Sequence, residues 1–454
     1  MKIVFCLHHF LPEYIAGTEI YALRLAQYLK KAGIEVVILI PHFDQSTNSE
    51  YEYENLRVIR YGEQSISTRK IIMGSQKPAG LEAFGNILKE EKPDIIHFHE
   101  LANGRGVSIF HVQKANQLGI PIVLTCHLSY YSCLRGSLIY KDQQKCDGEI
   151  QIKRCTDCLY QSKHITGLKA KGLLAAATIL FKAGIDATKI NSTLGTALGY
   201  PFIIKKLKAD LLTLATITEK IVVLGDWYKD ILVTNGVPVA KLICIKQGLT
   251  NEVLMPIKTS QATLPLKLVF IGRISALKGL HLLIAAINQL PLGQVSLDIF
   301  GPKTEDSYAA ECENASLSNK NIQWKGTIAS TDVIATLSKY DILCLPSTFS
   351  EMSPLVIQEA FAAGIPVLAS DVHGNAAQIQ DGVNGWLFKF KDSNSLANKL
   401  QLLVAAPELV EKARHHLPKA NLFTAVAREH IALYVKIIDN PKTRLPENII
   451  SYHA

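Results

Sequence analysis

The second half of the sequence contains basic residues where they could bind a diphosphate. Arg273 and Lys278 lie in the segment GRISALKG at 272–279, directly after the apolar run Leu266–Ile271. A forked guanidinium and a mobile ammonium suit the oxygens of a diphosphate, and Gly272 would allow a tight turn before them. Two solvated charges beside a turn are the alternative, and the spacing alone does not separate these interpretations.

A helix start is predicted in the segment STFSEMSP, which precedes an apolar run. Ser353 is predicted to cap a helix over Leu355–Ala363, with Pro354 in its first turn. The backbone N–H groups of Leu355 and Val356 would then form an anion site at the positive end of the helix dipole.

Two carboxylates flank this predicted anion site. Glu351 lies in the loop ahead of the helix, and Glu359 lies about one turn inside it. A carboxylate does not favour bound phosphate, but it accepts hydrogen bonds from vicinal diols, so both residues point to sugar hydroxyls. An ordinary surface helix is the alternative, and it accounts poorly for Glu359 beside the apolar run Ala360–Ala363.

An alternating strand–helix pattern must position these side chains. Helical patterns at Glu19–Lys31 and Gly279–Leu290 separate apolar runs, and strands separated by helices pair in parallel. The predicted strands are Lys2–Leu7, Glu35–Ile40, Ile95–Phe98, Pro121–Cys126, Lys220–Leu224, Leu242–Lys246, Leu266–Ile271, Val295–Phe300, Asp341–Leu345, Pro366–Ser370 and Trp386–Phe388. The pattern restarts after a proline-containing linker at Asn251–Pro265. We therefore expect an α/β fold of two Rossmann-like domains facing a cleft, with ligands at the carboxyl ends of the strands.

The predicted domain limits follow from that restart. A chain of 454 residues exceeds what one hydrophobic core usually serves. The predicted parts are a first domain at 1–255, a second domain at 256–425, and a C-terminal helix and tail at 426–454 that pack back on the first domain. Two insertions are predicted within the first domain, one with four cysteines at 127–160 and one basic and helical at 165–215.

Together the motifs resemble those of retaining glycosyltransferases of the family 4 type, which have two Rossmann-like domains in the GT-B arrangement. The family's second domain carries a Gly-Arg…Lys-Gly loop, a Pro-Ser pair, a Glu-x7-Glu motif and an Asp-Gly-x-Asn-Gly segment. The matches here are GRISALKG at 272–279, Pro346-Ser347, Glu351 with Glu359, and Asp381–Gly385. The resemblance covers most of the chain, from Lys2 to about Val435.

This resemblance implies roles for the matched residues. The residues implied to hold the donor diphosphate are Gly272, Arg273, Lys278 and the amides of Leu355 and Val356. Glu351 would be catalytic, facing the transferred sugar, and Glu359 would bind the ribose hydroxyls. The family often has a Glu shortly before its Asp-Gly-x-Asn-Gly segment, where this chain has Asn375–Gln378.

In the first half, the resemblance implies an acceptor side with a glycine loop near the sugar phosphates. Gly17 matches that loop, although the family more often has two glycines there. His127 follows the strand Pro121–Cys126 and is similar to a family histidine near the transferred sugar, which implies a catalytic role. His99 is a weaker candidate. For both histidines a purely structural role is the alternative.

Four cysteines form a separate cluster with the spacing Cys-x12-Cys-x8-Cys-x2-Cys. They are Cys133, Cys146, Cys155 and Cys158. The final Cys-x2-Cys pair predicts a knuckle suited to tetrahedral zinc, and four thiolates would complete a structural site that orders a polar segment beside His127. Four reduced or partly buried thiols are the alternative, and a redox role is disfavoured.

The predicted insertion at 165–215 combines apolar patches with lysines. The lysines are Lys169, Lys171, Lys182, Lys189, Lys205, Lys206 and Lys208. Such composition is typical of helices at a membrane interface and predicts peripheral membrane association. A helical cover over the first domain is the alternative.

Composition and charge exclude several classes of protein. With 48% hydrophobic residues, the chain is not mostly disordered. The net charge of +8 is modest for this length and suits anionic small molecules or a membrane surface better than nucleic acid. No apolar run has the length of an export signal or a membrane span, so we expect a cytoplasmic protein, or one at the inner face of the membrane.

The resemblance implies a reaction as well. A hexose would pass from a nucleotide diphosphate sugar to a hydroxyl of a glycan or lipid-linked acceptor, with retention at the anomeric carbon, in polysaccharide or glycoconjugate biosynthesis. No Asp-x-Asp motif is placed to bind a divalent ion, so Arg273 and Lys278 would replace it and no catalytic cofactor is expected. A sugar-nucleotide epimerase and a catalytically silent nucleotide-sugar-binding subunit are the alternatives. An NAD-dependent oxidoreductase is disfavoured because no Gly-x-Gly-x-x-Gly follows a strand.

Overall fold

The computed structural model describes residues 1–64, 74, 76–101, 106–250 and 263–439. The chain forms two α/β units. The first contains Met1–Gly136, Gly148–Ile245 and the C-terminal segment from Phe423, and the second contains Ser137–Asp147 and Lys246–Leu422. Most of the predicted linker, residues 251–262, and the predicted tail from residue 440 lie outside the described residues.

Each unit is a parallel α/β sandwich, which confirms the predicted fold class of two Rossmann-like domains. The unit limits lie near the predicted ones at 255 and 425. One piece differs: residues 137–147, predicted as part of the four-cysteine insertion of the first domain, group with the second unit.

The first unit has an eight-stranded sheet in the described part of the chain. Its strands are β1 (Lys2–Cys6), β2 (Glu35–Phe43), β3 (Ser49–Tyr53), β4 (Leu56–Glu63), β5 (Ile95–His99), β6 (Ile122–Cys126), β9 (Lys220–Val223) and β10 (Leu242–Cys244). Their spatial order is β10-β9-β6-β5-β1-β2-β4-β3, and β3 pairs antiparallel with β4 at one edge. The central strands β5 and β6 are buried along their whole length, as strands covered on both faces must be.

Helices cover this sheet. They are α1 (Gly17–Lys31), α2 (Leu81–Glu91), α3 (Ile109–Gln117), α4 (Ile152–Ser162), α5 (Gly167–Lys182), α6 (Thr193–Ile217) and α7 (Asp226–Thr234). The helix nearest the C-terminus, Phe423–Ile438, also packs here, because Phe423 stacks on Tyr28 of α1 and Tyr434 is fully buried in the same core. No helix in the described ranges is long and apolar enough to cross a membrane.

The second unit has a six-stranded, all-parallel sheet among its described residues. Its strands are β11 (Leu266–Ile271), β12 (Val295–Phe300), β13 (Ile322–Gly326), β14 (Ile342–Leu345), β15 (Val367–Ser370) and β16 (Gly385–Phe388), in the spatial order β13-β12-β11-β14-β15-β16. Its helices are α8 (Leu280–Ile287), α9 (Asp306–Ser316), α10 (Val333–Leu337), α11 (Leu355–Ala362), α12 (His373–Ala376), α13 (Ser393–Ala405) and α14 (Glu408–Arg414). The helix Phe423–Ile438, which belongs to the first unit, is α15. A short hairpin of β7 (Ile139–Tyr140) and β8 (Gln144–Lys145) completes the unit.

Candidate active site

The predicted donor residues lie at the topological switch point of the second sheet. The chain runs from β11 to its neighbour β12 on one side and later returns to the other side of β11 as β14. In open α/β sheets ligands bind at such a point, beyond the carboxyl ends of the strands. The segment GRISALKG follows β11, and the loop with Glu351 follows β14.

Glycines allow the loops at this switch point to pack closely. Gly279 has a φ of 69°, and a Cβ there would lie 2.0 Å from the Pro346 carbonyl oxygen. Gly301, after β12, has a φ of 150°, and its Cβ would lie 1.8 Å from the Gly272 carbonyl oxygen. A Cβ on Gly272 itself would meet only ordinary van der Waals contacts, and its φ is not positive. The chain does bend at Gly272, but without a positive φ, so the positions that require glycine are Gly279 and Gly301.

The close packing brings Lys278 and Glu351 together. Lys278 Nζ lies 2.7 Å from Glu351 Oε1 and 2.9 Å from Oε2. Ser347 Oγ donates a hydrogen bond of 2.6 Å to Glu351 Oε1. Both charged side chains are largely shielded from solvent, so their attraction is stronger than that of a surface pair. The Glu351 carboxylate is thereby held by a cation and a hydroxyl at the switch point.

Arg273 stands in contrast to Lys278. It follows Gly272 directly and is exposed to solvent, whereas Lys278 is half-buried against Glu351 and 5.6 Å from the centre of the Phe349 ring. The segment thus has one cation oriented by protein partners and one that extends into solvent beside it. Both lie on the loop after β11, as the sequence predicted.

The helix α11 starts at Leu355, as predicted, but its cap differs from the prediction. Pro354 is the N-cap residue, and its carbonyl accepts the first-turn hydrogen bond from the Ile357 N–H at 3.2 Å. Ser353 therefore lies one residue too early to cap the helix, and its predicted role is wrong. Because the first amides of a helix have no intrahelical acceptor, Leu355 and Val356 still present N–H groups at this end.

Glu359 lies on the second turn of α11. Burial raises the pKa of its carboxyl to about 7, because the charged form is poorly solvated there. A carboxyl so placed gains from a hydrogen-bonding ligand that replaces the lost water. Glu351 and Glu359 therefore differ in environment. Glu351 contacts the Lys278 ammonium, whereas burial alone causes the shift in the pKa of Glu359.

A third loop supports Glu351 from the side of β15. A Cβ on Gly374 would lie 1.9 Å from the Glu351 carbonyl oxygen, so the loop after β15 contacts the Glu351 backbone directly. Ser370 Oγ donates to the Ser347 carbonyl at 2.7 Å, and Asn375 Nδ2 donates to the Ser370 carbonyl at 3.1 Å. Asn375 thus has a positioning contact where the resemblance led us to look for a Glu.

The Asp-Gly-x-Asn-Gly segment forms a turn that its own side chains close. Asp381 Oδ1 accepts from the Leu387 N–H at 2.9 Å, and Asn384 Oδ1 accepts from the Gln380 N–H at 2.8 Å. Lys399 Nζ lies 3.2 Å from the Asp381 carboxylate. These contacts fix the start of β16 and give the segment a structural role.

In the first unit, His127 follows β6 and lies within a buried group of aromatic rings. Its Nε2 lies 3.3 Å from Nδ1 of His99, and its ring packs edge-on to Tyr21 with centres 5.0 Å apart. Burial lowers the pKa of His127 to about 3 and that of His99 well below its ordinary value, so both imidazoles are neutral. Gly17 begins α1, with open space where a side chain would stand.

The four cysteines predicted to bind zinc are divided between the two units: Cys133, Cys155 and Cys158 belong to the first unit and Cys146 to the second. Cys155 and Cys158 lie about one turn apart in the helix α4. Burial raises the pKa of the Cys155 thiol, and the nearby Cys133 and Cys158 act in the same direction. Cys146 Sγ donates to Asp147 Oδ1 at 4.0 Å. The described ranges contain no group of three or more His, Cys, Asp or Glu side chains placed to hold a metal ion.

Zinc therefore stays a prediction of the sequence, and elemental analysis tests it. The protein is purified without a metal-affinity tag, and zinc is measured per chain before and after Cys155→Ser. About one zinc per chain, lost in the variant, confirms the prediction. Four titratable thiols in a metal-free, folded protein contradict it.

Two protein-family models match the chain on the two units just described. The model for Glycosyl transferases group 1 matches residues 257–420, and the model for Glycosyltransferase Family 4 matches residues 15–150. The chain belongs to the family 4 type of GT-B glycosyltransferases. This agrees with the resemblance carried by the motifs at 272–279 and at Glu351 and Glu359.

Curated relatives of this GT-B chain include characterised and putative transferases. A putative colanic acid biosynthesis glycosyltransferase of Salmonella typhimurium is 28% identical over 186 residues, which is 39% of this chain and 45% of the relative. The D-inositol 3-phosphate glycosyltransferase of Mycobacterium marinum is 26% identical over 221 residues, which is 46% of this chain and 45% of the relative. The chain thus spans less than half the length of these curated relatives.

Solved structures share the GT-B fold over nearly the whole chain. Sucrose-phosphate synthase from Thermosynechococcus elongatus superposes with a TM-score of 0.63 at 18% identity, covering 96% of this chain and 98% of its own. Anabaena HepE in complex with UDP superposes with a TM-score of 0.60 at 15% identity, covering 96% of this chain and 100% of its own. At these identities the likeness shows the fold.

Sequence reasoning missed Glu100, which organises the loop that contains His127. Glu100 directly follows β5 with a φ of 77°, an unusual conformation for a residue other than glycine. Its Oε2 accepts from the N–H groups of His127 at 2.8 Å and Leu128 at 2.7 Å. Burial raises its pKa to about 8, although hydrogen bonds from Tyr131 and three backbone amides act in the opposite direction. The sequence feature that could have identified Glu100 is its position directly after a central strand.

Replacing Glu100 by alanine is expected to destabilise the first unit. Glu100→Ala leaves the amides of His127 and Leu128 without their acceptor, at a cost of about 1–3 kcal/mol in the free energy of unfolding. Urea unfolding followed by circular dichroism measures the change. Glu90→Ala, at an exposed glutamate on the last turn of α2, is the matched control. Equal stability of the two variants would show that Glu100 does not hold the loop.

A second missed feature links α15 to the strand ends of the first sheet. His97 on β5 is hydrogen-bonded to Tyr434 Oη at 2.7 Å and to Thr125 Oγ1 at 2.7 Å. His430, also on α15, is hydrogen-bonded to Tyr21 Oη at 2.8 Å. Burial lowers the pKa of both histidines, so the network consists of neutral rings. It supports the side of the sheet that carries His99 and His127.

A third missed feature is the contact between the hairpin β7–β8 and the Glu351 loop. The Ser350 N–H donates to the Ser137 carbonyl at 2.9 Å. Lys145 Nζ lies 2.5 Å from Asp371 Oδ1, and His373 Nε2 is hydrogen-bonded to the Cys146 carbonyl at 2.8 Å. These partners are far apart in sequence, so no local pattern could indicate them.

Proposed function

We propose that this chain transfers a hexose from a nucleotide diphosphate sugar to a hydroxyl of a glycan or lipid-linked acceptor, with retention at the anomeric carbon. The observation that carries the proposal is the Lys278–Glu351 pair at the switch point of the second sheet. Arg273 lies on the same loop as Lys278, and the amides of Leu355 and Val356 lie at the start of α11, which follows the Glu351 loop. An anion-binding set beside an oriented carboxylate suits a ligand that is a diphosphate at one end and a sugar at the other.

The donor residues divide into two groups by chemistry. Arg273, Lys278 and the α11 amides would bind the diphosphate and stabilise the negative charge that develops on it as the glycosidic bond breaks. Because these groups supply positive charge themselves, the reaction is proposed to need no divalent cofactor. Glu359, whose carboxyl is buried, would accept hydrogen bonds from the ribose hydroxyls.

Donor binding would change the contact between Lys278 and Glu351. Without donor, each charge neutralises the other at 2.7 Å. A diphosphate competes for the ammonium, and the Glu351 carboxylate then becomes available to the hydroxyls of the transferred sugar. Ser347, at 2.6 Å from Oε1, holds the carboxylate in place while its cation is shared.

The comparisons support the donor class and the biological setting. HepE is described with UDP, with UDP and glucose, and with UDP-glucose, which favours a uridine diphosphate sugar as the first donor to test. The name of the Salmonella relative refers to colanic acid biosynthesis, which favours a role in making a polysaccharide or glycoconjugate. The catalytic role of His127 and the donor-binding role of Gly17, both in the first unit, rest on the resemblance and stay predictions.

A nucleotide-sugar screen tests the proposal. Thermal stabilisation is measured with a panel of nucleotide diphosphate sugars, and products with the best donor are analysed by mass spectrometry and NMR, with and without EDTA. We expect stabilisation by one nucleotide class, and EDTA-insensitive transfer with an anomeric configuration equal to the donor's. An epimerised donor formed without acceptor would identify an epimerase instead. Binding without any product across a panel of glycan and lipid-linked acceptors would identify a silent binding subunit.

A further inference from the structure

The helix α5 has an apolar surface that the described part of the chain leaves uncovered. Ala170 and Ala177 are the buried residues of this sixteen-residue helix. Leu168 and Ile179 are 86% and 67% exposed. An apolar helix surface is normally buried against other protein or lies against a lipid phase. The exposure of α5 therefore requires a partner.

The inner side of α5 is accounted for by its neighbour α6. The rings of Phe181 on α5 and Phe202 on α6 lie 4.9 Å apart and meet edge to face. The remaining apolar positions fall on the opposite side of the helix. At about 100° per residue, they form one strip, which we call the outer strip: Leu168, Gly172, Ala175, Ala176, Ile179 and Ala183, all exposed.

Lysines border the outer strip on both sides. With the same helical spacing, Lys171 and Lys182 fall along one border and Lys169 along the other, and all three are exposed. Long lysine side chains at these positions can cover apolar surface with their stems and extend their ammonium groups past it. An exposed apolar strip bordered by lysines suits contact with a membrane interface that carries negative charge.

The same character continues beyond the end of α5. The connection to α6 and the first turn of α6 expose Ile185, Ile190 and Leu194, each more than half exposed. Of the two acidic residues between positions 165 and 215, Asp210 pairs with Lys206, and Asp186 accepts from the Thr188 N–H at 2.9 Å and keeps its charge, so the lysines remain in excess. The region thus offers apolar groups and unneutralised positive charge together.

Charge decides between two possible partners for this surface. A second copy of the chain, docked through the same patch, would bring the lysine borders of both copies together, and their repulsion would oppose association. Anionic lipid headgroups are complementary to them. We propose that the outer strip of α5, continued by Ile185, Ile190 and Leu194, binds the surface of a membrane that contains anionic lipids.

The dimensions agree with a helix that lies on the membrane. Sixteen residues at about 1.5 Å each give about 24 Å, which is shorter than a hydrocarbon core of about 30 Å. The apolar strip enters the headgroup region, and the flanking lysines contact lipid phosphates. This inference goes beyond the proposed sugar transfer and is tested without any activity assay.

Vesicle binding by the full-length protein tests the inference. Co-sedimentation is measured with phosphatidylcholine vesicles and with vesicles that also contain phosphatidylglycerol. One variant combines Leu168→Glu with Ile179→Glu, and a second changes Lys169, Lys171 and Lys182 to Gln. The matched control combines Leu292→Glu with Leu317→Glu, at leucines 76% and 78% exposed in the second unit. Thermal melting checks that every variant is folded.

The expected results follow from charge and burial. The wild type binds the anionic vesicles, and salt weakens this binding. The double Glu variant loses it, and the triple Gln variant binds roughly a hundredfold more weakly, from about fivefold per lysine near an anionic surface. The control binds as the wild type does. Absence of vesicle binding, binding unaffected by the α5 variants, or a solution dimer that the double Glu variant dissociates would each overturn the inference.

Discussion

Replacing Arg273 or Lys278 by alanine is expected to weaken donor nucleotide binding by about tenfold to a hundredfold, because each change removes a charge-assisted contact worth about 1.5–3 kcal/mol. The two variants should differ in stability. Arg273 is exposed, so Arg273→Ala should melt like the wild type. Lys278→Ala leaves the shielded Glu351 carboxylate with Ser347 but without its cation, so the free energy of unfolding should fall by about 1–3 kcal/mol.

Isothermal titration with the best nucleotide of the screen measures the affinities, and thermal melting measures stability. Lys339→Ala is the control, since Lys339 is exposed and lies just before β14, at the opposite end of that strand from Glu351. We expect its affinity and melting temperature to equal those of the wild type. Unchanged nucleotide affinity in both Arg273→Ala and Lys278→Ala would remove the phosphate assignment.

The regular part of the fold was predictable because buried parallel strands have a strong sequence signal. The predicted strand Leu266–Ile271 matches β11 residue for residue, and Val295–Phe300 matches β12. The strands β3 and β4 were missed because SEYEY is polar and only partly buried at the edge of the sheet, and LRVIRYGE mixes charges with its apolar residues. Of these two, β3 is the edge strand, and because it has one neighbour and one exposed side it requires less apolar sequence.

The candidate site was predictable in its residue types but not in its contacts. The spacing of Arg273, Lys278, Glu351 and Glu359 predicted four side chains near a ligand. It did not show that Lys278 and Glu351 pair, because that contact depends on Gly279 approaching Pro346 across 67 positions of sequence. From the sequence alone, the glycine next to the strand, Gly272, was expected to make the turn, because only neighbouring residues could be considered. A close approach between separate loops is a property of the packed sheet.

The missed residues of the first unit share the same cause. Glu100 accepts a hydrogen bond from the amide of His127, 27 positions away. On α15, near the other end of the chain, His430 is hydrogen-bonded to Tyr21 of α1 and Tyr434 to His97 of β5. Their sequence neighbourhoods are ordinary: a charged residue after a strand, and a histidine and a tyrosine on an amphipathic helix. Only the fold shows that these polar groups meet hydrogen-bond partners from distant parts of the chain.

Glu351→Gln and Glu359→Gln are expected to separate the chemical step from donor binding. Glu351 is oriented by Lys278 and Ser347, so Glu351→Gln should lower kcat at least tenfold with a smaller effect on donor affinity. Glu359→Gln should chiefly raise the donor KM. Its effect should also depend on pH, because burial places the pKa of Glu359 at about 7. Hydrogen bonds from ribose hydroxyls favour the charged carboxylate, so wild-type donor affinity should rise as the pH approaches about 7 and level off above it.

The pH dependence of stability, measured without donor, tests the Glu359 carboxyl independently. Its pKa in the folded state lies above the ordinary value of 4.5, so the folded state holds the proton more tightly than the unfolded state does. The contribution of Glu359 to stability is therefore fully present below about pH 4.5 and is lost as the pH rises to about 7. Glu359→Gln should remove this part of the pH dependence, and the gap in melting temperature between the two proteins should change across that window. A Glu359→Gln protein with the wild-type donor KM and the wild-type pH dependence of both affinity and melting would show that Glu359 does not contact the donor.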